Sequence, residues 1–131
     1  MSGKINILIA DDTKSLLDAL KRSLQANKEV LCTTASDGKE AWEILSKTSP
    51  ETPFDVLVTD LDMPRMSGKE LIEMARKKHP DLIVVVISGR MDAQVTENEL
   101  LPYNINGFLS KPFSLRELSA MIQELTKPVN A

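Results

Sequence analysis

The chain has 131 residues, 42% hydrophobic and 27% charged, with a formal net charge of -3. That balance suits one globular domain and excludes a disordered chain. The absence of a basic excess argues against direct nucleic-acid binding through bulk charge, and a single cysteine excludes an internal disulfide or a multi-cysteine metal site.

Met1-Ser2-Gly3-Lys4 leads straight into Ile5 to Ala10, with none of the signature of a signal peptide. This short, nearly continuous apolar run fits a strand buried on both faces, as in a parallel sheet. It stops at Asp11-Asp12, and Leu16, Leu17, Leu20 and Leu24 then recur at helical spacing. Val30 to Thr34 is a second strand pattern, closed by Ala35-Ser36-Asp37-Gly38. A helix with Ala41, Trp42, Ile44 and Leu45 on its apolar side follows, and Pro50 and Pro53 terminate it. Phe54 to Thr59 is a third strand, running into Asp60. The loop Leu61 to Gly68 precedes a helix over Lys69 to Lys78, closed by His79-Pro80. Leu82 to Ile87 is the most hydrophobic strand and belongs in the sheet centre; it ends at Ser88-Gly89. A weaker helix fits Ala93 to Leu101. Gly107 to Ser110 is a short fifth strand ending at Lys111-Pro112, and Ser114, with Glu117 in the capping-box position, starts a last helix reaching about Thr126.

Five strand–helix repeats without a linker or low-complexity tract predict one α/β domain over residues 1–131. Its sheet is parallel, with helices on both faces. The longest apolar runs fall far short of the roughly 20 residues of a membrane span, so a soluble, cytoplasmic protein is expected.

In such a sheet the carboxyl ends of the strands share one edge, where ligands bind. Strand one brings Asp11 and Asp12 there, strand three Asp60, strand four Ser88 and strand five Lys111. Each has an ordinary reading when taken alone. Asp11 or Asp12 can cap a helix, Asp60 can sit in a turn, and Lys111 can be a solvated charge. Three carboxylates, a hydroxyl and an ammonium converging on one edge form a more specific pattern. Clustered carboxylates repel, and a hard divalent cation relieves the repulsion; few protein oxygens and open positions suit Mg²⁺. A carboxylate can also attack phosphorus to give an aspartyl phosphate, with a cation, a lysine and a hydroxyl stabilising the transferred charge. Elsewhere, Cys32, Trp42 and the helix leucines read as core, and His79 as a helix-end residue. Met63 and Met66 fit either a contact role or packing beneath their loop.

The stretches ILIADD (Ile7 to Asp12), DVLVTDLDMPRMSG (Asp55 to Gly68), VVVISG (Val84 to Gly89) and GFLSKPF (Gly107 to Phe113) resemble, at matching spacing, a receiver domain of two-component response regulators, the CheY-like family. The resemblance covers essentially the whole chain. It implies a (βα)5 flavodoxin-like fold of strand order 2-1-3-4-5. It also implies a phosphoprotein that takes a phosphoryl group from a sensor histidine kinase onto Asp60. The metal, Mg²⁺ or Mn²⁺, would be held by Asp11, Asp12, Asp60 and the backbone carbonyl of Asp62. Ser88 and Lys111 would engage the phosphoryl oxygens, with Ser88 and Phe108 as switch residues and a cis Lys111-Pro112 bond.

The segment Met91 to Tyr103 is polar and weakly periodic, so the fourth helix is expected to be short, on a face that changes on phosphorylation. Asp62 and Arg90 are expected to pair across the pocket mouth and to tune the lifetime of the phosphoaspartate. The expected partners are the kinase and a downstream target protein, and the expected state is a monomer or weak dimer with no membrane contact. Little chain remains for an output domain, which predicts a stand-alone regulator; a module taken from a hybrid sensor kinase is the alternative. A haloacid dehalogenase-type phosphatase would also use the Asp60-Leu61-Asp62 pattern, but its nucleophile strand comes first and a cap domain follows. The last rival is an interaction module that never takes phosphate.

Overall fold

The computed structural model describes residues 4–48 and 53–127. Five strands are joined by five helices: β1 (Ile5–Ala10), α1 (Lys14–Gln25), β2 (Val30–Ala35), α2 (Gly38–Lys47), β3 (Val56–Asp60), α3 (Gly68–Lys78), β4 (Ile83–Ser88), α4 (Ala93–Glu99), β5 (Gly107–Ser110) and α5 (Leu115–Leu125). A 3₁₀ turn, Leu101–Tyr103, lies between α4 and β5. The strands form one parallel sheet in the order β2-β1-β3-β4-β5. This is the flavodoxin-like order expected of the chain.

Strand side chains alternate between the two faces, and both faces are covered. Ile7, Ile9, Val56, Val58, Val85 and Ile87 pack with Leu17, Leu20 and Leu24 of α1 and Leu118 and Ile122 of α5. Leu8, Ala10, Leu57, Val84 and Val86 pack on the opposite face with Ala41 and Leu45 of α2 and Leu71, Ile72 and Ala75 of α3. That is why the strands read as unbroken apolar runs rather than as alternating ones. Each fully buried Leu, Ile or Val contributes about 1.5–3 kcal/mol of transfer free energy. The two edge strands are the exceptions: β5 is mostly half-buried, and β2 alternates buried with exposed residues.

Local signals start the helices. Ser67 and Glu70 form a capping box at α3, and Ser114 and Glu117 form another at α5. Asp37 caps α2 and Asp92 caps α4 through their carboxylates.

Several boundaries differ from the sequence reading. β3 begins at Val56 rather than Phe54. The Asn6 N–H donates to the Asp55 carboxylate at 2.8 Å, while the Asp55 N–H donates to the Asn6 carbonyl at 2.8 Å. A side chain thus replaces a ladder carbonyl there. β2 and β4 run one residue further, to Ala35 and Ser88, and β4 starts at Ile83. α4 closes at Glu99, as short as expected, and the chain then tightens into the 3₁₀ turn containing Pro102. Trp42 is half-buried at the margin of the α2–α3 layer rather than in the core. Pro50 lies outside the described residues.

Arg76 stands near the end of α3, and its guanidinium donates to the carbonyls of Pro80, Leu82, Tyr103 and Asn104 and to the side-chain oxygen of Asn106. That Asn106 oxygen also accepts from the Val84 N–H at 2.8 Å. One side chain therefore ties α3 to the start of β4 and to the segment entering β5.

Candidate functional site

The strand ends converge as the topology requires. Asp60 is the last residue of β3, and its register partner on β4 is Ile87, so Ser88 lies one step further along the neighbouring strand. Ser88 pairs with Ser110, and the Lys111 N–H donates to the Ser88 carbonyl at 2.7 Å. On the other side of β3, Asp11 follows β1 and its N–H donates to the Ala35 carbonyl at 3.1 Å.

Carboxylate oxygens of Asp11, Asp12 and Asp60 all lie within 4.8 Å of one another. Asp11 and Asp60 are buried and Asp12 is exposed, so the cluster opens to solvent on one side. Neither Asp11 nor Asp12 is the N-cap of α1. That position is Thr13, whose N–H donates to Asp11 Oδ1 at 2.8 Å. Lys111 Nζ bridges two of the acids, 2.9 Å from Asp11 Oδ2 and 3.1 Å from Asp60 Oδ2. The other oxygen of Asp60, Oδ1, accepts from the Leu61 N–H at 2.7 Å and the Asp62 N–H at 3.4 Å.

Burial raises the pKa of Asp60, with Asp11 adding to the rise, while the Lys111 ammonium and the Leu61 N–H work against it. Burial disfavours the Lys111 ammonium too. Its bonds to Asp11 and Asp60 outweigh that, and its pKa is raised. Three carboxylates facing one ammonium leave an excess of negative charge. Hard oxygen donors, one of them at the solvent side, suit a small divalent cation that keeps some of its waters. The donor set therefore fits Mg²⁺ or Mn²⁺.

Ser88 is buried, and its Oγ accepts from the Arg90 N–H at 3.1 Å. Arg90 grips Asp62 with two hydrogen bonds, Nε to Oδ2 at 3.1 Å and Nη2 to Oδ1 at 2.8 Å. The bond from Arg90 holds the Asp62 carboxyl below its ordinary value, and the same bond raises Arg90. The expected pair is thus present. It extends into a chain of charges not foreseen from sequence, because Arg90 also reaches Glu99 of α4 (3.7 Å), which Lys69 of α3 holds at 3.2 Å. Phe108 is half-buried against the α2–α3 layer. Met63 and Met66 pack under their loop onto the same layer. Lys111-Pro112 is cis, as expected.

The model of the response regulator receiver domain matches residues 7–123. The chain belongs to the response regulator receiver family. This receiver is 34% identical over 126 residues to "Sensor kinase CckA" of Brucella abortus, covering 95% of the chain and 13% of that protein. It is 35% identical over 130 residues to "Response regulator MprA" of Mycobacterium leprae, covering 97% of the chain and 54% of that protein. The receiver thus spans about half of one relative and about an eighth of the other. Among solved structures, the receiver domain of the Francisella response regulator 1452 aligns with a TM-score of 0.82 at 30% identity, covering 93% of this chain and 96% of that one. A CheY-like receiver from Methanospirillum hungatei shares the fold, with a TM-score of 0.83 at 24% identity and 94% coverage of each chain. Membership of this family sets aside the phosphatase reading of Asp60-Leu61-Asp62.

Two features of the pocket's frame escaped the sequence reading. Thr59 Oγ1 donates to the Asp60 carbonyl at 2.8 Å, and Arg65 Nη1 lies 3.2 Å from Asp37 Oδ2. An ordinary threonine in a strand and an arginine in a loop carry no motif that announces such contacts.

Proposed function

We propose that Asp60 is the phospho-acceptor of this receiver. The observation that carries the reading is the ammonium of Lys111 placed between Asp11 and Asp60, with Asp12 completing an acidic cluster at the solvent side. An Asp60 carboxylate oxygen attacks the phosphorus of a phosphohistidine on a partner kinase. The new O–P bond forms as the P–N bond breaks, and the imidazole leaves. The nucleophile must be ionised, and Lys111 favours that form against the burial that opposes it. The N–H groups of Leu61 and Asp62 orient the carboxylate.

Asp11, Asp12, Asp60 and the Asp62 carbonyl would hold Mg²⁺ or Mn²⁺. When bound, the cation supplies compensation for the negative charge of the phosphoryl oxygens. Lys111 and the Ser88 hydroxyl then engage those oxygens. Ser88 turns its Oγ away from the Arg90 N–H to do so, and Phe108 responds on the neighbouring strand. This redistributes two states of the α4–β5 side. A loosely held α4 supports the reading. Thr96 is its only buried residue, and Val95 and Leu101 stay half or more exposed.

In this reading residues 1–131 act as one receiver unit, turning over no external substrate. It works in the cytoplasm between a histidine kinase and a downstream protein, as a monomer or weak dimer without direct nucleic-acid contact. Among the described residues no helix is long and apolar enough to cross a membrane. The similar identities to a regulator and to a sensor kinase support a receiver of either attachment.

The test is intact mass after incubation with acetyl phosphate and Mg²⁺, with Asp60→Asn as control. One phosphoryl adduct, lost in the control, is expected. No adduct on the parent chain, or an adduct surviving in Asp60→Asn, overturns the assignment and favours a module that never takes phosphate.

A further inference from the structure

We propose that Asp37, Gly38 and Arg65 form a latch that positions the loop between β3 and α3, and with it the Asp62 carbonyl, for metal binding. The inference rests on the reading of the site given above.

The loop is fastened at both ends. At its far end the Gly68 N–H donates to the Leu61 carbonyl at 2.9 Å. A Cβ on Gly68 would lie 2.1 Å from the Asp60 carbonyl oxygen, so only glycine lets the loop close this tightly on the acceptor. In its middle, Arg65 adopts φ 70, a left-handed conformation that strains a non-glycine backbone. Something must hold it there.

The first tie on that residue is the ion pair with Asp37. Asp37 is largely buried, and it divides its carboxylate: Oδ1 accepts from the Glu40 N–H and starts α2, while Oδ2 takes Arg65. The second tie is steric. A Cβ added to Gly38 would lie 2.0 Å from the Met66 carbonyl oxygen and 2.9 Å from the Met66 Cβ, so the loop backbone rests directly on the first turn of α2. The obstructing atoms include backbone, which cannot swing aside as a flexible side chain would. An alanine at Gly38 therefore has to push residues 65 and 66 outward. The displacement passes to the segment from Asp62 to Pro64, because the other end is pinned by Gly68. Asp37, Gly38 and Arg65 are positioning residues, acting through the loop rather than on phosphate.

The test uses the full chain and three variants. Gly38→Ala wedges the loop. Asp37→Asn keeps a competent helix cap while deleting the charge. Arg65→Gly deletes the ion pair while relieving the left-handed backbone. Mg²⁺ affinity is measured by calorimetry on unphosphorylated protein, alongside thermal melts in EDTA and acetyl phosphate labelling at saturating Mg²⁺.

Partners that orient metal ligands typically change affinity by 10–100-fold. Gly38→Ala is expected to weaken Mg²⁺ by about 10-fold or more, and the other two by several-fold each. Arg65→Gly should melt at or above the parent temperature, which separates positioning from loss of structure. All three should still label Asp60 once Mg²⁺ is saturating. Mg²⁺ affinities within twofold of the parent in Asp37→Asn and Arg65→Gly overturn the latch even if Gly38→Ala fails to fold. A parent chain that binds no Mg²⁺ overturns the site reading and the latch together, whereas normal parent binding with unchanged variants overturns the latch alone.

Discussion

Replacing Lys111 by alanine removes the only cation hydrogen-bonded to both Asp11 and Asp60 among the described residues. Its Nζ lies about 3 Å from an oxygen of each. At an effective dielectric near 20, each contact is worth about 5 kcal/mol of gross attraction. Most of that is offset by the lost hydration of the ammonium. Stripping one partner from a buried ionic group costs about 3–5 kcal/mol in practice, and the open side of this pocket favours the lower end. We therefore expect Lys111→Ala to lose about 3 kcal/mol of unfolding free energy in EDTA near neutral pH, measured by urea denaturation.

The pH dependence has a definite sign. Asp60 already has a folded pKa above its ordinary value, from burial first and then from Asp11. Such a group weakens the fold at neutral pH, and the penalty is relieved as pH falls through the folded pKa. Without Lys111 the folded pKa rises further. The variant should thus regain stability relative to the parent as pH falls from neutral through that raised pKa. Added Mg²⁺ should recover more of the loss in the variant than it adds to the parent, because the acids no longer share an ammonium. A deficit below about 0.5 kcal/mol, or one indifferent to both pH and Mg²⁺, would show that Lys111 does not balance the charge of this cluster.

Replacing Asp62 and Arg90 together by alanine should shorten the phosphoaspartate half-life several-fold by opening the pocket mouth to water, as followed by mass spectrometry after donor removal. Stability should shift by less than about 1 kcal/mol, since Asp62 is exposed and Arg90 is partly exposed. Arg76→Ala should cost about 2 kcal/mol in urea denaturation, because several carbonyls lose a shared charged donor. Ser114→Ala should cost about 1 kcal/mol through loss of the α5 capping box. Burial pushes the Cys32 thiol up to about 11, so its thiolate fraction at neutral pH is about a hundredfold below that of a free cysteine. A thiol reagent should therefore label Cys32 in native protein far more slowly than in urea-unfolded protein.

Much of this molecule is legible in its amino-acid order because the relevant forces are local or periodic. Ile7, Leu8 and Ile9 are all apolar since consecutive residues enter opposite hydrophobic layers, and that announces a central parallel strand. The position of Asp60 at a strand terminus follows from the abrupt end of the apolar run. What stayed hidden depends on contacts between distant segments. Nothing near Arg76 in sequence reveals that four carbonyls and an asparagine wait for it across the chain. The Asp55 side chain displaces a strand pairing that Phe54 and Asp55 otherwise suggest. Trp42 sits on the apolar side of α2 but falls where the layer thins, so its bulk is only half covered. The Asp62–Arg90 pair is legible from positions flanking the pocket, whereas its continuation to Glu99 and Lys69 depends on the approach of α3 and α4.

Lys111 hangs from the end of β5, which has a sheet neighbour on one side only and is mostly half-buried. The two acids it holds stand at the carboxyl ends of interior strands, Asp60 as the last residue of β3 and Asp11 just past β1. Any new anion that competes for this ammonium therefore pulls between a stiff anchor and a soft one. The movement falls to the border of the sheet, where shifting a strand disrupts the least packing.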